Sequence, residues 1–110
     1  MGTRNVNTDA FSETLDFLIV AFCRGFEARE RAIREKRCGR RTIMEYEYIN
    51  RRIADATREI VGDDFPNYIH EIGKKIGYAH SRVDGISETD YKVKKRQVKM
   101  NIARKMHLLD

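Results

Sequence analysis

Residues that turn, break or cross-link a chain are scarce in this sequence. Of its 110 residues, one is proline, seven are glycine, two are cysteine and none is tryptophan. A β-sandwich needs frequent turns rich in glycine and proline, so the composition argues against that class. With 35% charged residues, it favours a helical protein of one domain. We predict an all-α fold, a compact bundle of four to five helices over residues 8–110, after a frayed N-terminus at 1–7.

Cross-linking and membrane insertion are also disfavoured. Cys23 and Cys38 lie on one predicted helical stretch, which puts them roughly 22 Å apart along its axis, beyond disulfide reach. We expect free thiols in a reducing compartment. The apolar run from Leu15 to Cys23 contains Asp16 and is far too short to span a bilayer, and the polar start does not resemble a signal peptide. These features predict a cytoplasmic protein that does not bind membranes.

Motifs for catalysis or metal binding are missing too. The sequence has no HExxH, no paired Cys-x-x-Cys, no glycine-rich phosphate loop after a strand and no nucleophile elbow. Its three histidines and two cysteines lack the spacing of zinc ligands. We therefore expect a protein that is not an enzyme and that holds no metal and no cofactor.

Apolar spacing and capping residues predict the first two helices. Thr8 or Asp9 is expected to start a helix whose apolar positions recur every three or four residues, and Gly39 to stop it. Residues 42–45 have the spacing of a capping box, which predicts the start of a second helix there. Gly62 is expected to end it.

The C-terminal half is predicted to hold two more helices and an ambiguous segment between them. Residues 63–64 can cap a third helix with Pro66 in its first turn, and Gly77 is expected to close it. Residues 78–86 are either a turn with a short helix or an ordered loop. Ser87 then has the character of a cap for a terminal helix.

The net charge of +5 is concentrated in two stretches. Arg24 to Arg41 holds eight arginines and lysines against three glutamates, and Tyr91 to His107 holds seven without an acid. A basic balance favours acidic partners, of which nucleic acid is the commonest and an acidic protein groove the next.

The twenty residues from Ile69 to Glu88 resemble the helix-turn-helix of DNA-binding regulators. Gly73 stands at the fifth place, where the two helices cross closely, and Gly77 at the ninth, where the turn needs a positive φ. The five apolar anchor positions are also filled, by Ile72, Ile76, Tyr78, Val83 and Ile86. The glycines also have a simpler interpretation, as sites of close helix packing and of a helix end.

This resemblance implies roles for particular residues. The recognition helix would begin near Ala79 or His80, and its first turns would address the bases. Lys74 and Lys75, on the supporting helix, would contact phosphates. The candidate base-facing residues are His80, Ser81 and Arg82. Gly85 fits poorly inside such a helix, because glycine costs about 1 kcal/mol there relative to alanine.

A second register avoids Gly85. The segment from Ile86 to Met106 resembles the recognition-helix end of phage late-transcription activators of the ArpU and RinA kind, in which a serine-capped helix carries an aromatic residue, several basic residues and an apolar stripe. That resemblance implies that the helix from residue 88 onward enters the groove. Its basic face would consist of Lys92, Lys95, Arg96 and Lys99, spaced i, i+3, i+4, i+7.

The leading prediction is a small DNA-binding protein, a transcriptional regulator or accessory factor of a phage or other mobile element. Such proteins commonly bind duplex DNA as dimers, and the long first helix could supply a homodimer interface. The alternative is an inhibitor of the anti-CRISPR type, whose basic helical faces would meet an acidic groove or a nucleoprotein complex. RNA binding through Tyr46, Tyr48, Arg51 and Arg52 is a third class, although those tyrosines are more simply core and boundary residues.

Overall fold

The computed structural model describes residues 12–109, which form a bundle of five α-helices and contain no strand. The helices are α1 (Glu13–Arg24), α2 (Phe26–Glu35), α3 (Arg40–Val61), α4 (Phe65–Lys74) and α5 (Glu88–Lys105), with short 3₁₀ turns at Gly62–Asp64 and Tyr78–His80. The predicted all-α bundle of four to five helices is therefore confirmed. The predicted frayed segment 1–7 and the helix start at Thr8 or Asp9 lie outside the described residues.

Serine hydroxyls start the first and last helices. Ser12 accepts a hydrogen bond from the Leu15 backbone N–H at 3.2 Å. Ser87 accepts one from the Asp90 backbone N–H at 3.1 Å, so the predicted cap of the terminal helix is confirmed. Each bond satisfies one of the amides that a helix start leaves without a partner.

The stretch predicted as one helix from the N-terminal region to Gly39 is two helices. Gly25 interrupts it, and the Arg29 side chain fills the space that a Cβ at Gly25 would need, with Nη1 2.6 Å from that position. Lys36 ends α2 in the left-handed conformation (φ 52°). The prediction that Gly39 stops the first helix is therefore wrong, because Gly39 is extended and precedes α3 instead.

The start predicted for the second helix is also wrong, whereas its end is confirmed. Because Gly39 is extended (ψ 161°), α3 begins at Arg40, and residues 42–45 lie inside the helix rather than capping it. Gly62 ends α3 with φ +67°, a conformation that side chains with a Cβ rarely adopt. Two positions thus fix the length of the longest helix described.

The helix α4 starts as predicted and ends earlier than predicted. Pro66 lies in its first turn, where the missing N–H costs nothing. Lys75 closes the helix in the left-handed conformation (φ 57°), and its N–H donates to Ile72 O at 3.2 Å. The prediction that Gly77 closes it with a positive φ is wrong, since Gly77 is extended with φ −90°.

The core lies where α1, α3, α4 and α5 meet. Its buried side chains are Ile19, Val20, Cys23, Ile53, Ala56, Ile69, Ile72, Val98, Ile102 and Ala103. Gly73 lets α4 approach α1 closely, because a Cβ there would lie 2.7 Å from Arg24 N. The predicted close crossing at Gly73 is confirmed, and its partner is α1 rather than a helix that follows the turn.

Both cysteines are free thiols, as expected, with Cys23 buried and Cys38 half-buried. Burial raises the pKa of the Cys23 thiol to about 12. No helix in the described part of the chain combines the length and apolar character that a membrane span requires.

Candidate nucleic-acid interface

The connection between α4 and α5 decides between the two registers proposed from the sequence. Residues 78–80 form a 3₁₀ turn, Ser81 is extended, and no regular helix begins before Glu88. The prediction of a recognition helix beginning near Ala79 or His80 is therefore wrong. The helix of the second register is present as α5.

A buried carboxylate holds this connection in place. The Glu71 side chain is fully buried and accepts hydrogen bonds from Ser81 Oγ (2.6 Å), the Arg82 N–H (2.7 Å) and Tyr91 Oη (2.6 Å). Burial by itself raises the pKa of Glu71, but these bonds and the nearby Lys95 outweigh it, so the pKa is lowered. A buried anion with this many donors fixes an extended loop that has few backbone bonds of its own.

The residues predicted for the first register therefore have different environments. Ser81 is half-buried and directs its hydroxyl to Glu71. His80 and Arg82 are exposed. Lys74 and Lys75 are exposed at the C-terminal end of α4.

The first three turns of α5 form an open face. Between residues 88 and 97 only Tyr91 is buried, and the outward positions include Thr89, Lys92, Val93 and Arg96. Val93 is 47% exposed, although it is apolar. The first turn also carries two exposed acids, Glu88 and Asp90, so the open face combines basic, apolar and acidic side chains.

Two of the four basic residues predicted on α5 make internal contacts. Lys95 Nζ donates to Ile76 O at 2.7 Å and lies 5.0 Å from the centre of the Tyr91 ring. Burial, and then the neighbouring Lys99, lower the pKa of Lys95. Lys99 Nζ pairs with Asp16 Oδ1 at 2.9 Å and so joins α5 to α1.

The other two basic residues of α5 are exposed. Lys92 pairs with Glu88 at 3.0 Å on the surface, a type of contact that is worth little in water. Arg96 lies one turn further on. The four basic side chains line a cavity of about 340 Å³ with Ser12, Glu13 and Asp16 of α1.

The contact between Lys95 and Ile76 brings the basic ends of two helices together. Lys74 and Lys75 directly precede Ile76 in the chain, and Lys74 also lines a cavity with residues of α1 and α2. We call this set the α4–α5 basic surface, and it consists of Lys74, Lys75, Lys92, Lys95, Arg96 and Lys99. It consists of six basic residues from two helices that are separate in sequence.

Sequence reasoning missed the apolar side chains that the fold leaves exposed. Phe17 is 69% exposed on α1, and Met44 is 61% and Tyr48 48% exposed on α3. Tyr46 is half-buried, so the boundary position expected of the two tyrosines fits Tyr46 better than Tyr48. The helical period marks these residues as apolar, but it does not say which helix faces lack a neighbour.

Within residues 12–109, no three side chains of His, Cys, Asp or Glu are grouped as a metal site requires. Comparison of the chain with protein-family models, with curated proteins and with solved structures found no match. The case for a function therefore depends on the α4–α5 basic surface and on the exposed faces of α1 and α3.

Proposed function

We propose that this protein binds duplex DNA without catalysing a reaction, with the first turns of α5 facing the groove. In this proposal it acts as a regulator or accessory factor of a phage or mobile element. The observation that supports it is the exposed start of α5, where Lys92, Val93 and Arg96 lie at the surface. The exposed Lys74 and Lys75 precede Ile76, whose carbonyl accepts a hydrogen bond from Lys95 of α5.

The dimensions and chemistry of this face suit a DNA groove. The major groove of B-DNA is about 12 Å wide and admits one α-helix. Arg96 can contact a guanine edge bidentately, and Val93 can pack on a thymine methyl group. Lys74 and Lys75 would contact the phosphates on one side and set affinity rather than sequence.

The internal contacts of α5 support the same role. Lys95 ties the helix to the end of α4, and Lys99 ties it to α1, so its exposed face is held rigidly. A rigid element places side chains on base edges more accurately than a mobile one. The residues that anchor the helix are thus different from those that would contact DNA.

Fluorescence polarisation of a labelled duplex, titrated at several salt concentrations, tests the proposal. If the four exposed residues of the α4–α5 basic surface (Lys74, Lys75, Lys92 and Arg96) meet phosphates, affinity should fall by about 10²-fold between 50 and 200 mM salt. In the variant K92A/R96A, we expect weaker binding and a salt slope reduced by about two.

The control variant is R31A/R104A, which removes two exposed arginines from α2 and from the far end of α5. It lowers the net charge equally, so it should retain the wild-type salt slope. Equal losses in both variants would show that net charge alone drives binding. The absence of duplex binding by the folded wild-type protein at low salt would refute the proposal.

A further inference from the structure

The helices α2 and α3 form a hairpin that reaches away from the core. None of the side chains of α2 is buried, and the first buried side chain of α3 is Asn50. Asn50 joins the two helices, since its amide donates to Phe26 O (3.0 Å) and Glu30 (2.8 Å) and accepts from Arg29 (2.6 Å). We call residues 26–49 the helical arm.

The outer face of α3 carries an ordered stripe. Arg41, Met44, Tyr48 and Arg52 follow one another at spacings of three, four and four, so they lie on one side of the helix. The two apolar members are about half or more exposed. The twelve residues from Arg41 to Arg52 are separated by eleven steps, which give the stripe a length of roughly 16 Å, about three turns. Shallow grooves run along it on both sides.

Both ends of this stripe are basic. Arg40 and Arg41 lie at one end, and Arg51 and Arg52 at the other. Among residues 12–109, no acid forms an ion pair with Arg40, Arg41 or Arg51. The adjoining tip at residues 34–39 adds further positive charge, with three basic residues against a single acid.

We propose that the stripe binds an acidic amphipathic helix of a partner protein. Such a helix would place apolar side chains on Met44 and Tyr48 and carboxylates near the arginines at either end. This is the helix-in-groove mode of recognition, with apolar anchors spaced by one turn and charges that set the orientation.

Other occupants fit this surface less well. Arg52 lies 4.7 Å from the centre of the Tyr48 ring, so one face of the ring is already covered and is closed to a nucleic-acid base. Glu45 and Glu47 flank the apolar middle of the stripe, so a partner must keep its negative charge near the arginines at the two ends. A helix can place its acids in that way, whereas a phosphate backbone carries charge along its whole length. A second copy of the chain would bring two basic arms together, which like-charge repulsion opposes.

Selection from a display library of randomised helical peptides on the full-length protein tests the proposal. We expect the enriched peptides to carry an apolar cluster with acids about one turn away on each side. The variant M44S/Y48S should weaken their binding about tenfold or more, because it removes the central anchors. The variant R40E/R41E should also weaken peptide binding. Because both arginines are exposed, this second variant tests the surface even if M44S/Y48S folds poorly.

The matched control is Phe17→Ser, which removes an apolar side chain of greater exposure from a surface without flanking arginines. It should leave peptide binding unchanged, and so should K92A/R96A, which tests DNA binding separately. Four results would overturn the proposal: no enrichment, enriched peptides without acids, binding unaffected by both arm variants, or competition by duplex DNA for the stripe.

Discussion

Gly73 sets the distance between α4 and α1. A Cβ built at this position would lie 2.7 Å from Arg24 N and 2.8 Å from Arg24 Cα, which are backbone atoms of the facing helix. Arg24 also donates a hydrogen bond from Nε to Gly73 O at 3.1 Å, so Arg24 of α1 contacts Gly73 of α4 through its side chain as well as its backbone. The crossing therefore depends on the absence of a side chain.

We predict that Gly73→Ala destabilises the protein, although alanine favours a helix by about 1 kcal/mol. Overpacking against backbone commonly costs about 1–3 kcal/mol, so the net loss should reach about 2 kcal/mol. Urea unfolding followed by circular dichroism measures it. Gly77→Ala is the control, since Gly77 has φ −90° and open space around it. If both variants were equally stable, the close crossing would not limit stability.

Glu71 links the connection before α5 to the rest of the domain. Because its carboxylate is charged in this role, we expect the stability of the fold to depend on pH. Its pKa is lowered in the folded protein, since its hydrogen bonds and the nearby Lys95 outweigh the effect of burial. A carboxyl with a lowered folded-state pKa stabilises the fold above its unfolded-state pKa. That stabilisation is lost as the pH falls through the folded-state value.

We therefore predict that Glu71→Gln is less stable than the wild type at neutral pH and that this difference shrinks on acidification from about pH 5 downward. Unfolding midpoints in urea, measured across this range, test it. The comparison is Glu59→Gln, which alters an exposed carboxyl whose pKa Lys105 and Asn101 also lower. Its pH-dependent loss should have the same sign but be smaller, because water screens an exposed charge. A difference that stayed constant with pH would mean that packing, and not charge, accounts for the loss.

At the scale of elements, the hairpin of α2 and α3 depends on polar contacts more than on a core. Asn50 is 2% exposed and makes all three of its side-chain hydrogen bonds to α2 residues. Arg29 adds a bond to the Phe22 carbonyl. Since α2 buries no side chain fully, these bonds hold it in place together with Phe26, which packs against the core.

We predict that Asn50→Ala destabilises the protein by about 2–3 kcal/mol and loosens α2 first, because it leaves partners unsatisfied. Hydrogen–deuterium exchange should show faster exchange of α2 amides with little change in α4. Asn101→Ala is the matched control, since Asn101 donates to Ala56 O (2.8 Å) and Glu59 (3.0 Å) between α3 and α5. If both variants exchanged alike, Asn50 would have no special role in the arm.

The elements differ in how well the sequence predicts them. The start of α5 and the end of α3 follow from local chemistry, because a serine cap and a glycine with positive φ act within one turn. The break at Gly25 depends on the Arg29 side chain, and two helices end at lysines with left-handed backbone. The left-handed position at a helix end is usually occupied by glycine, so the sequence led us to place both ends at nearby glycines instead of at these lysines.

At the scale of the whole molecule, the sequence shows where the basic residues lie along the chain. It does not show which of them make internal contacts in the fold. Both basic stretches were recognisable as runs, and the spacing of the basic residues on α5 predicted a single face. Only the packing shows that Lys95 binds the Ile76 carbonyl and that Lys99 pairs with Asp16. It also shows that Lys92 and Arg96 are exposed. The contact of Lys99 with Asp16 joins residues far apart in sequence, and no local pattern predicts it.

The thiols of Cys23 and Cys38 lie in different parts of the molecule, so their reactivity measures how readily each part opens. Cys23 is 3% exposed in the core, and burial raises its pKa to about 12, so almost no reactive thiolate forms in the folded state. Cys38 is half-buried in the connection between α2 and α3. Alkylation of Cys23 should therefore require the core to open, whereas alkylation of Cys38 requires only motion at the tip of the arm.

We predict that iodoacetamide at mildly alkaline pH modifies Cys38 in the native protein and Cys23 only as fast as the core unfolds. Mass spectrometry of the intact protein and its peptides gives both rates. When opening is fast relative to labelling, the Cys23 rate follows the unfolded population, so a loss of 1.4 kcal/mol should raise it about tenfold. Gly73→Ala should then accelerate the alkylation of Cys23 much more than that of Cys38. Asn50→Ala should accelerate the alkylation of both cysteines. Equal rates at the two thiols in the native wild type would contradict a core that opens separately from the arm.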